Sequence, residues 1–378
     1  MIFLGITTFL IVYIVANFYV GNKILLWLMS IYSSTNKTIF WVIYFLCAFS
    51  IIIAYLIPKS YFSKIFKIAS WFYMGAFLYL LIIFLALDIL KIIFIKSQFF
   101  RENIIQNNRF LVISGFVILA IVLFIILYGN YNAKNIQIVD YNLKVSEKEK
   151  TNKTLNIAMI SDIHIGDIIN YKEIENIVQR IKGLNPDIVL IAGDVFDGYY
   201  DGIENIDKIE NAFKGLKTKY GTYAVFGNHD AGSGYSKMVE FCRRSNINLL
   251  QDEFKEFKGE FTIVGRKDGS PIGDQGEVRK ELENVLKNDV IKPIIMLDHK
   301  PSNINEISDY NVDLLLCGHT HKGQMFPGNL ITNRIFLVDY GYLKVKNTNV
   351  VVSSGVGTWG PRMRIGSKSE IVNIKLEY

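Results

Sequence analysis

Five short segments of this 378-residue chain carry side chains suited to metal chemistry. They are Ser161-Asp162-Ile163-His164, Gly193-Asp194-Val195-Phe196-Asp197, Gly227-Asn228-His229-Asp230, Asp298-His299 and Gly318-His319-Thr320-His321. All five histidines of the chain fall inside them. A single histidine is more often a hydrogen-bonded polar group than a ligand. Five beside aspartates and an asparagine are hard to explain that way. The donors are imidazole, carboxylate and amide oxygen, which suit Mn, Fe, Zn or Mg rather than a structural zinc. Cys47, Cys242 and Cys317 lack ligand spacing and read as three buried thiols. The candidate ligands exceed what one tetrahedral ion takes. Two ions sharing a carboxylate fit better, and ions ~3.5–4 Å apart clamp an in-line displacement at phosphorus.

These side chains need elements that bring them together. Each segment follows a short apolar run that reads as a buried strand: 155–160, 187–192, 222–226, 293–297 and 312–317. Ligands in layered α/β folds gather at the carboxyl ends of strands. At such an exit residues i and i+2 share a side. Asp162 and His164 are therefore expected to meet at one point, and His319 and His321 likewise. Gly193, Gly227 and Gly318 permit tight turns and close backbone approach. Helical spacing of apolar residues marks helices over 174–184, 203–216, 235–246 and 277–286. Further strands are expected over 136–145, 261–265, 350–353 and 371–376, and a charged turn over 146–154. The alternation argues an α/β layered domain.

The first third of the chain is different. Ile2–Val20, Thr38–Ile57, Ala69–Leu87 and Phe110–Tyr128 are apolar runs without a charge. Each approaches the ~20 residues that cross a bilayer as a helix. They predict an all-α bundle of four transmembrane helices over 1–128, a linker and first strand over 129–154, and a soluble domain over 155–378. The first run lacks a basic flank and a cleavage site, so it reads as a span rather than a signal peptide. Lys23–Ser33 reads as an interfacial stretch. Asp88 reads as the end of the third span, with no other polar group of note inside the spans. Four spans divide the flanking cations equally between the two sides, which leaves orientation open. Of 41 basic and 35 acidic residues, nine and two fall in 1–128, leaving 32 and 33 for the remainder. The net charge thus belongs to the membrane flanks, and no nucleic-acid partner is expected.

In order, the five segments resemble the calcineurin-like metallophosphoesterase family, whose pattern runs D-x-H, G-D-x-x-D, G-N-H-D/E, H and G-H-x-H. The match spans Leu155 to Leu376. The resemblance implies a four-layer α/β/β/α sandwich. It implies that Asp162, His164 and His321 hold one divalent ion, and Asn228, His299 and His319 a second. Asp194 would bridge them, and His229 would sit over the phosphate and assist the leaving oxygen. Asp197 and Asp230 would orient the histidines. The metals implied are Mn²⁺, Fe²⁺/³⁺ or Zn²⁺.

The runs Gly318–Gln324, Pro327-Gly328, Ser353–Thr358 and Arg364-Ile365-Gly366 look like the exported or membrane-anchored bacterial branch. That branch leans toward an extracytoplasmic domain, although no twin-arginine signal is present. Lys322 stands where the branch often has glycine and reads as a solvated loop lysine. The expectation is an integral membrane protein that hydrolyses phosphate esters, with the bilayer as its partner and no obligate protein partner. The substrate would be a phosphodiester or pyrophosphate, lipid-linked or of nucleotide type. The other class that fits is a membrane sensor or scaffold whose domain binds substrate without turning it over.

Overall fold

The computed structural model describes residues 2–57, 61–96, 107–145, 153–272, 278–286 and 290–378. The chain divides into two compact units, Met1–Gly129 and Asn130–Tyr378.

The first unit holds α1 (Ile2–Ile31), α2 (Lys37–Ala48), α3 (Ser50–Leu56), α4 (Tyr61–Lys96) and most of α5 (Asn108–Lys134). Among the described residues three helices are long and apolar enough to cross a membrane: Thr7–Ile31, Phe62–Phe94 and Asn108–Lys134. The expected count of four is corrected by the second run. It breaks at Phe49, which leaves helical geometry with φ −95° and ψ 7°. The Ser50 hydroxyl donates to the carbonyl of Cys47 at 2.6 Å across the break. Each piece alone falls short of the ~20 residues a span requires. The equal division of cations rested on four spans and loses its basis.

Three smaller expectations change with it. Lys23–Ser33 is not a separate interfacial stretch, since α1 runs on to Ile31. Asp88 does not end a helix, because α4 continues to Lys96. Its carboxylate accepts from Lys23 Nζ and Tyr19 Oη, each at 2.6 Å, both on α1. Nor is it the one polar group inside the bundle. Buried Asn17 donates to the carbonyl of Tyr13 at 2.8 Å and accepts from Tyr73 Oη at 2.9 Å. Tyr73 lies 56 residues from Asn17, and Lys23 and Tyr19 lie 65 and 69 from Asp88, so no local pattern reveals these pairs. Cys47 is exposed on α2, while Cys242 and Cys317 are buried.

Among the described residues the second unit contains twelve strands. In chain order they are β1 (Gln137–Lys144), β2 (Thr154–Ile160), β3 (Ile188–Ala192), β4 (Thr222–Val225), β5 (Ile247–Leu249), β6 (Glu253–Phe257), β7 (Phe261–Gly265), β8 (Ile294–Leu297), β9 (Leu314–Cys317), β10 (Gly341–Val345), β11 (Thr348–Val352) and β12 (Glu370–Glu377). One six-stranded sheet runs β1-β12-β2-β3-β4-β5 and the other β10-β11-β9-β8-β7-β6. The neighbours β2, β3, β4 and β5 pair in parallel, as do β7, β8, β9 and β11. Side-chain alternation along a strand decides the layers. Ile157 and Met159 of β2 point between the sheets, where they meet Leu297 of β8 and Leu316 of β9. Ala158 and Ile160 point the other way, onto α6 (Tyr171–Gly183), α7 (Ile206–Lys214) and α8 (Tyr235–Arg244). Met296 and Leu315 of the second sheet face α9 (Leu282–Val285) and α10 (Ile304–Ile307). The layers are α/β/β/α. Strands buried on both faces read as unbroken apolar runs, as in Ile188–Ala192.

The helix expected over 277–286 shrinks to the single turn α9, and its first residue lies outside the described residues. The charged turn over 146–154 lies mostly outside them too, at 146–152. The strands β5, β6 and β10 and the helix α11 (Gly328–Ile335) had no expectation. Strands β6 and β10 are edge strands with one half-exposed face, and α11 buries no side chain.

Candidate metal centre

The central strands of both sheets end at one place. The loop after β2 lies along the loop after β3: Asp162 N donates to Gly193 O at 2.9 Å and His164 N to Asp194 O at 3.1 Å. Asp162, His164, Asp194, His319 and His321 all have left-handed backbone, with φ of 52°, 54°, 51°, 73° and 49°. That conformation costs an L-residue roughly 1–2 kcal/mol, and such strain gathers at functional sites. Asp162 and His164 converge through this local winding, not through the pleat alternation read from sequence. The same winding separates His319 from His321, correcting the expectation that they meet at one point. His321 Nε2 lies 3.4 Å from Asp162 Oδ1 and 3.1 Å from His164 Nε2. His319 Nδ1 lies 2.9 Å from Asn228 Oδ1 and 3.3 Å from His299 Nε2.

Asp194 stands between these two groups. Its Oδ2 is 3.7 Å from His164 Nε2 and 3.3 Å from His299 Nε2. Its Oδ1 accepts from the backbone N–H of His229 at 2.9 Å. The His229 ring is half-buried, with its centroid 5.1 Å from that of His164. The structure therefore brings all eight expected residues into one cluster.

The donor set fits divalent cations. The His299 Nδ1–H donates to Ala192 O at 2.8 Å, which turns its Nε2 toward a carboxylate oxygen and a second ring nitrogen. Burial works against charge on His299, yet Asp194 and Asp162 hold its pKa well above the usual value. The pocket stabilises positive charge at this point. Burial pushes Asp162 up to about 6, against the pull of His299. For Asp194 the nearby histidines outweigh burial and lower its pKa. Burial drives His164 down to about 3 and His319 down to about 4, so both are neutral donors. Backbone closeness completes the cradle. A Cβ on Gly227 would lie 2.2 Å from Asp194 Oδ1, and one on Gly318 2.4 Å from Asp162 Oδ2.

Around the cluster the assignments shift. Asp230 orients no histidine: its carboxylate accepts from the backbone N–H groups of Val195, Phe196 and Gly227 at 3.0, 2.7 and 2.9 Å. It fixes the two loops that carry Asp194 and Asn228. Asp197 keeps a place beside the histidines, with Oδ1 3.7 Å from His164 Nδ1 and His229 in the same group. Lys322 is not a solvated loop lysine, since its ammonium sits 4.1 Å over the Tyr340 ring.

Three supporting residues carried no role in the sequence reading. Fully buried Arg364 donates through Nη2 to Ser354 O, Gly355 O and Gly357 O at 2.7, 3.1 and 2.7 Å, with His321 Nδ1 at 3.4 Å. Gln324 clamps the Trp359 backbone, donating to its carbonyl at 2.8 Å and accepting from its N–H at 3.0 Å. The Trp359 ring lies 5.9 Å from that of His229. Gln324 and Arg364 had one sequence signal, membership of the runs Gly318–Gln324 and Arg364-Ile365-Gly366; Trp359 had none.

The calcineurin-like phosphoesterase profile matches residues 155–323. An uncharacterized metallophosphoesterase of Aquifex aeolicus is 32% identical over 255 residues, which cover 66% of this chain and 95% of that protein. One from Helicobacter pylori strain J99 is 31% identical over 240 residues, or 60% of this chain and 61% of its own length. This chain thus matches less than two thirds of that relative. A transmembrane protein with metallophosphoesterase domain from Danio rerio is 27% identical over 317 residues, covering 79% of this chain and 70% of that protein.

Proposed function

Because this chain belongs to the calcineurin-like metallophosphoesterase family, we propose that it is a membrane-anchored, two-metal hydrolase of phosphate esters. The observation that carries the reading is Asp194 Oδ2, one carboxylate oxygen within 3.7 Å of His164 Nε2 and 3.3 Å of His299 Nε2. An oxygen common to two ligand groups is what a bridging carboxylate requires. On this reading Asp162, His164 and His321 hold one ion, and Asn228, His299 and His319 the other.

When bound, the ions supply charge that activates water near neutral pH and offsets the phosphate oxygens. The chain's own residues do the rest. Asp230 keeps the loops of Asp194 and Asn228 in register. The Asp194 carboxylate fixes the backbone of His229, whose ring stands at the rim of the cluster. From there His229 donates a hydrogen bond to the leaving oxygen, since burial holds its pKa below the usual value and keeps the ring neutral. Trp359 covers that ring on one side. The long apolar helices favour a phosphodiester or pyrophosphate borne by a lipid or delivered at the membrane.

The test uses the full chain in detergent, stripped of metal and given Mn²⁺, with chromogenic phosphodiester and phosphomonoester substrates. Metal-dependent release supports hydrolysis, and the ratio of rates sorts diester from monoester. His229→Ala should keep its metal content and lose about 10²–10⁴-fold in turnover. Unchanged turnover in that variant removes His229 from the mechanism. No release of any ester with two metals bound favours the sensor reading.

A further inference from the structure

The soluble unit carries an apolar surface that its own core does not use. Phe326, Leu330, Ile331, Ile335, Leu337 and Trp359 are 44%, 55%, 59%, 67%, 59% and 50% exposed. Five of the six lie on α11 or its flanks. No residue of α11 is buried, although the helix is held firmly at both ends. At its start Phe326 N donates to Ile365 O at 2.8 Å. A Cβ on Gly323 would lie 2.1 Å from Asn329 N, so only glycine lets these backbones touch. Within the helix Thr332 Oγ1 donates to Asp339 Oδ2 at 2.7 Å. A helix fixed this way with its apolar side chains outward is built to meet something apolar.

Chain continuity says what that is. Helix α5 is apolar enough to cross a bilayer and ends in Asn130–Lys134, which belong to the soluble unit. These residues are bonded to the segment 362–369. Asn130 Nδ2 donates to Arg362 O at 3.2 Å, and Asn132 Nδ2 to Arg364 O and Ser367 O at 3.0 and 2.7 Å. Ser369 Oγ donates to Ala133 O at 2.8 Å. The same segment pairs with the start of the apolar stretch, through Phe326 N to Ile365 O and Ile365 N to Gln324 O at 2.8 and 3.0 Å. One short relay of hydrogen bonds joins Asn130–Ala133, the first residues of this unit, to the root of α11. The exposed apolar face thus starts beside the residues through which α5 enters this unit. It also reaches the metal cluster, since the Phe336 ring lies 6.0 Å from that of His319. Exposed Arg334 in the last turn suits anionic headgroups.

We infer that α11 is an interfacial helix whose apolar side chains enter the headgroup–acyl boundary beside the metal cluster, so that a lipid-borne phosphoester is met without leaving the membrane. The substrate half of this inference rests on the hydrolase reading; the membrane half does not.

The test takes the full chain carrying Cys47→Ser, with Ile331→Cys bearing an environment-sensitive fluorophore. It is reconstituted in phosphatidylcholine–phosphatidylglycerol vesicles that contain acyl-chain spin labels. Lys255→Cys on the exposed edge strand β6 serves as control. The label at 331 should be quenched at least about twofold more than the label at 255, as for a helix seated at the boundary. Equal quenching overturns the inference. A second arm compares phosphatidyl-p-nitrophenol in vesicles with bis-p-nitrophenyl phosphate in solution. In the variant combining Leu330→Ser, Ile331→Ser and Ile335→Ser, the ratio of lipid to soluble rate should fall about tenfold. A ratio equal to that of the parent overturns the lipid-delivery half. The quenching arm needs no turnover, so an inert but quenched protein sinks the hydrolase reading and keeps the interfacial helix. An active protein without quenching does the reverse.

Discussion

Substituting Gly227 by alanine tests the cradle directly. The added Cβ would stand 2.2 Å from Asp194 Oδ1, 2.6 Å from Asp194 N and 2.7 Å from His299 Cδ2. Non-bonded heavy atoms prefer about 3.5 Å or more, so Asp194 or the Gly227 backbone must retreat by roughly 1 Å. The backbone at Gly227 is not left-handed, so this contact is the penalty, with no conformational term beside it. Asp194 is the carboxylate shared by both ligand groups, and a misplacement of about 1 Å near reacting groups can cost on the order of 10²-fold in rate. Overpacking of this kind destabilises by about 1–3 kcal/mol. The expected result is a fall of about a hundredfold in kcat/KM on a chromogenic ester, with reduced metal content by elemental analysis. Gly183→Ala is the control, because a Cβ there meets nothing within 4 Å. If Gly227→Ala keeps parental metal content and activity, Asp194 does not sit where the argument requires.

Removing Arg364 should act through the carbonyls it satisfies. Arg364→Gln leaves the acceptors at Ser354, Gly355 and Gly357 short of donors and should cost roughly 3 kcal/mol or more, read as a lower melting midpoint. An unchanged midpoint would mean that the cage is dispensable. In the membrane unit, Lys23→Ala takes from Asp88 its ammonium partner at 2.6 Å and should lower resistance to unfolding in detergent by about 2–3 kcal/mol, with Lys23→Arg close to the parent. Equal resistance of all three proteins refutes a stabilising pair. Stripping metal should also lower the melting midpoint, because a ligand of the native state at a thousandfold excess over Kd contributes about 4 kcal/mol. Identical melts with and without chelator would count against metal binding.

Much of this protein was legible in one dimension. Apolar runs of ~20 residues need a bilayer, and five apolar runs that each end in Asp, Asn or His need a sheet that gathers them. Unbroken apolar runs placed the central strands, buried on both faces, and period-3.6 patterns placed α6, α7 and α8, which bury one face each. Edge strands β6 and β10 and helix α11 bury too little to leave such a pattern.

What sequence alone left undecided depends on partners remote along the chain. Asp88 looked like a helix end until Lys23 and Tyr19, 65 and 69 residues away, supplied its donors. Asp230 looked like a partner for histidine, and the folded chain uses it to bind three backbone N–H groups. His319 and His321 share a motif, and left-handed turns send them to different halves of the cluster. The residue types alone pointed to divalent-metal binding, since ligand preference is a property of donor atoms. Their division into two groups around Asp194 followed from no spacing and was implied by the family resemblance alone; tertiary structure makes it, because backbone winding at strand ends is set by packing between loops.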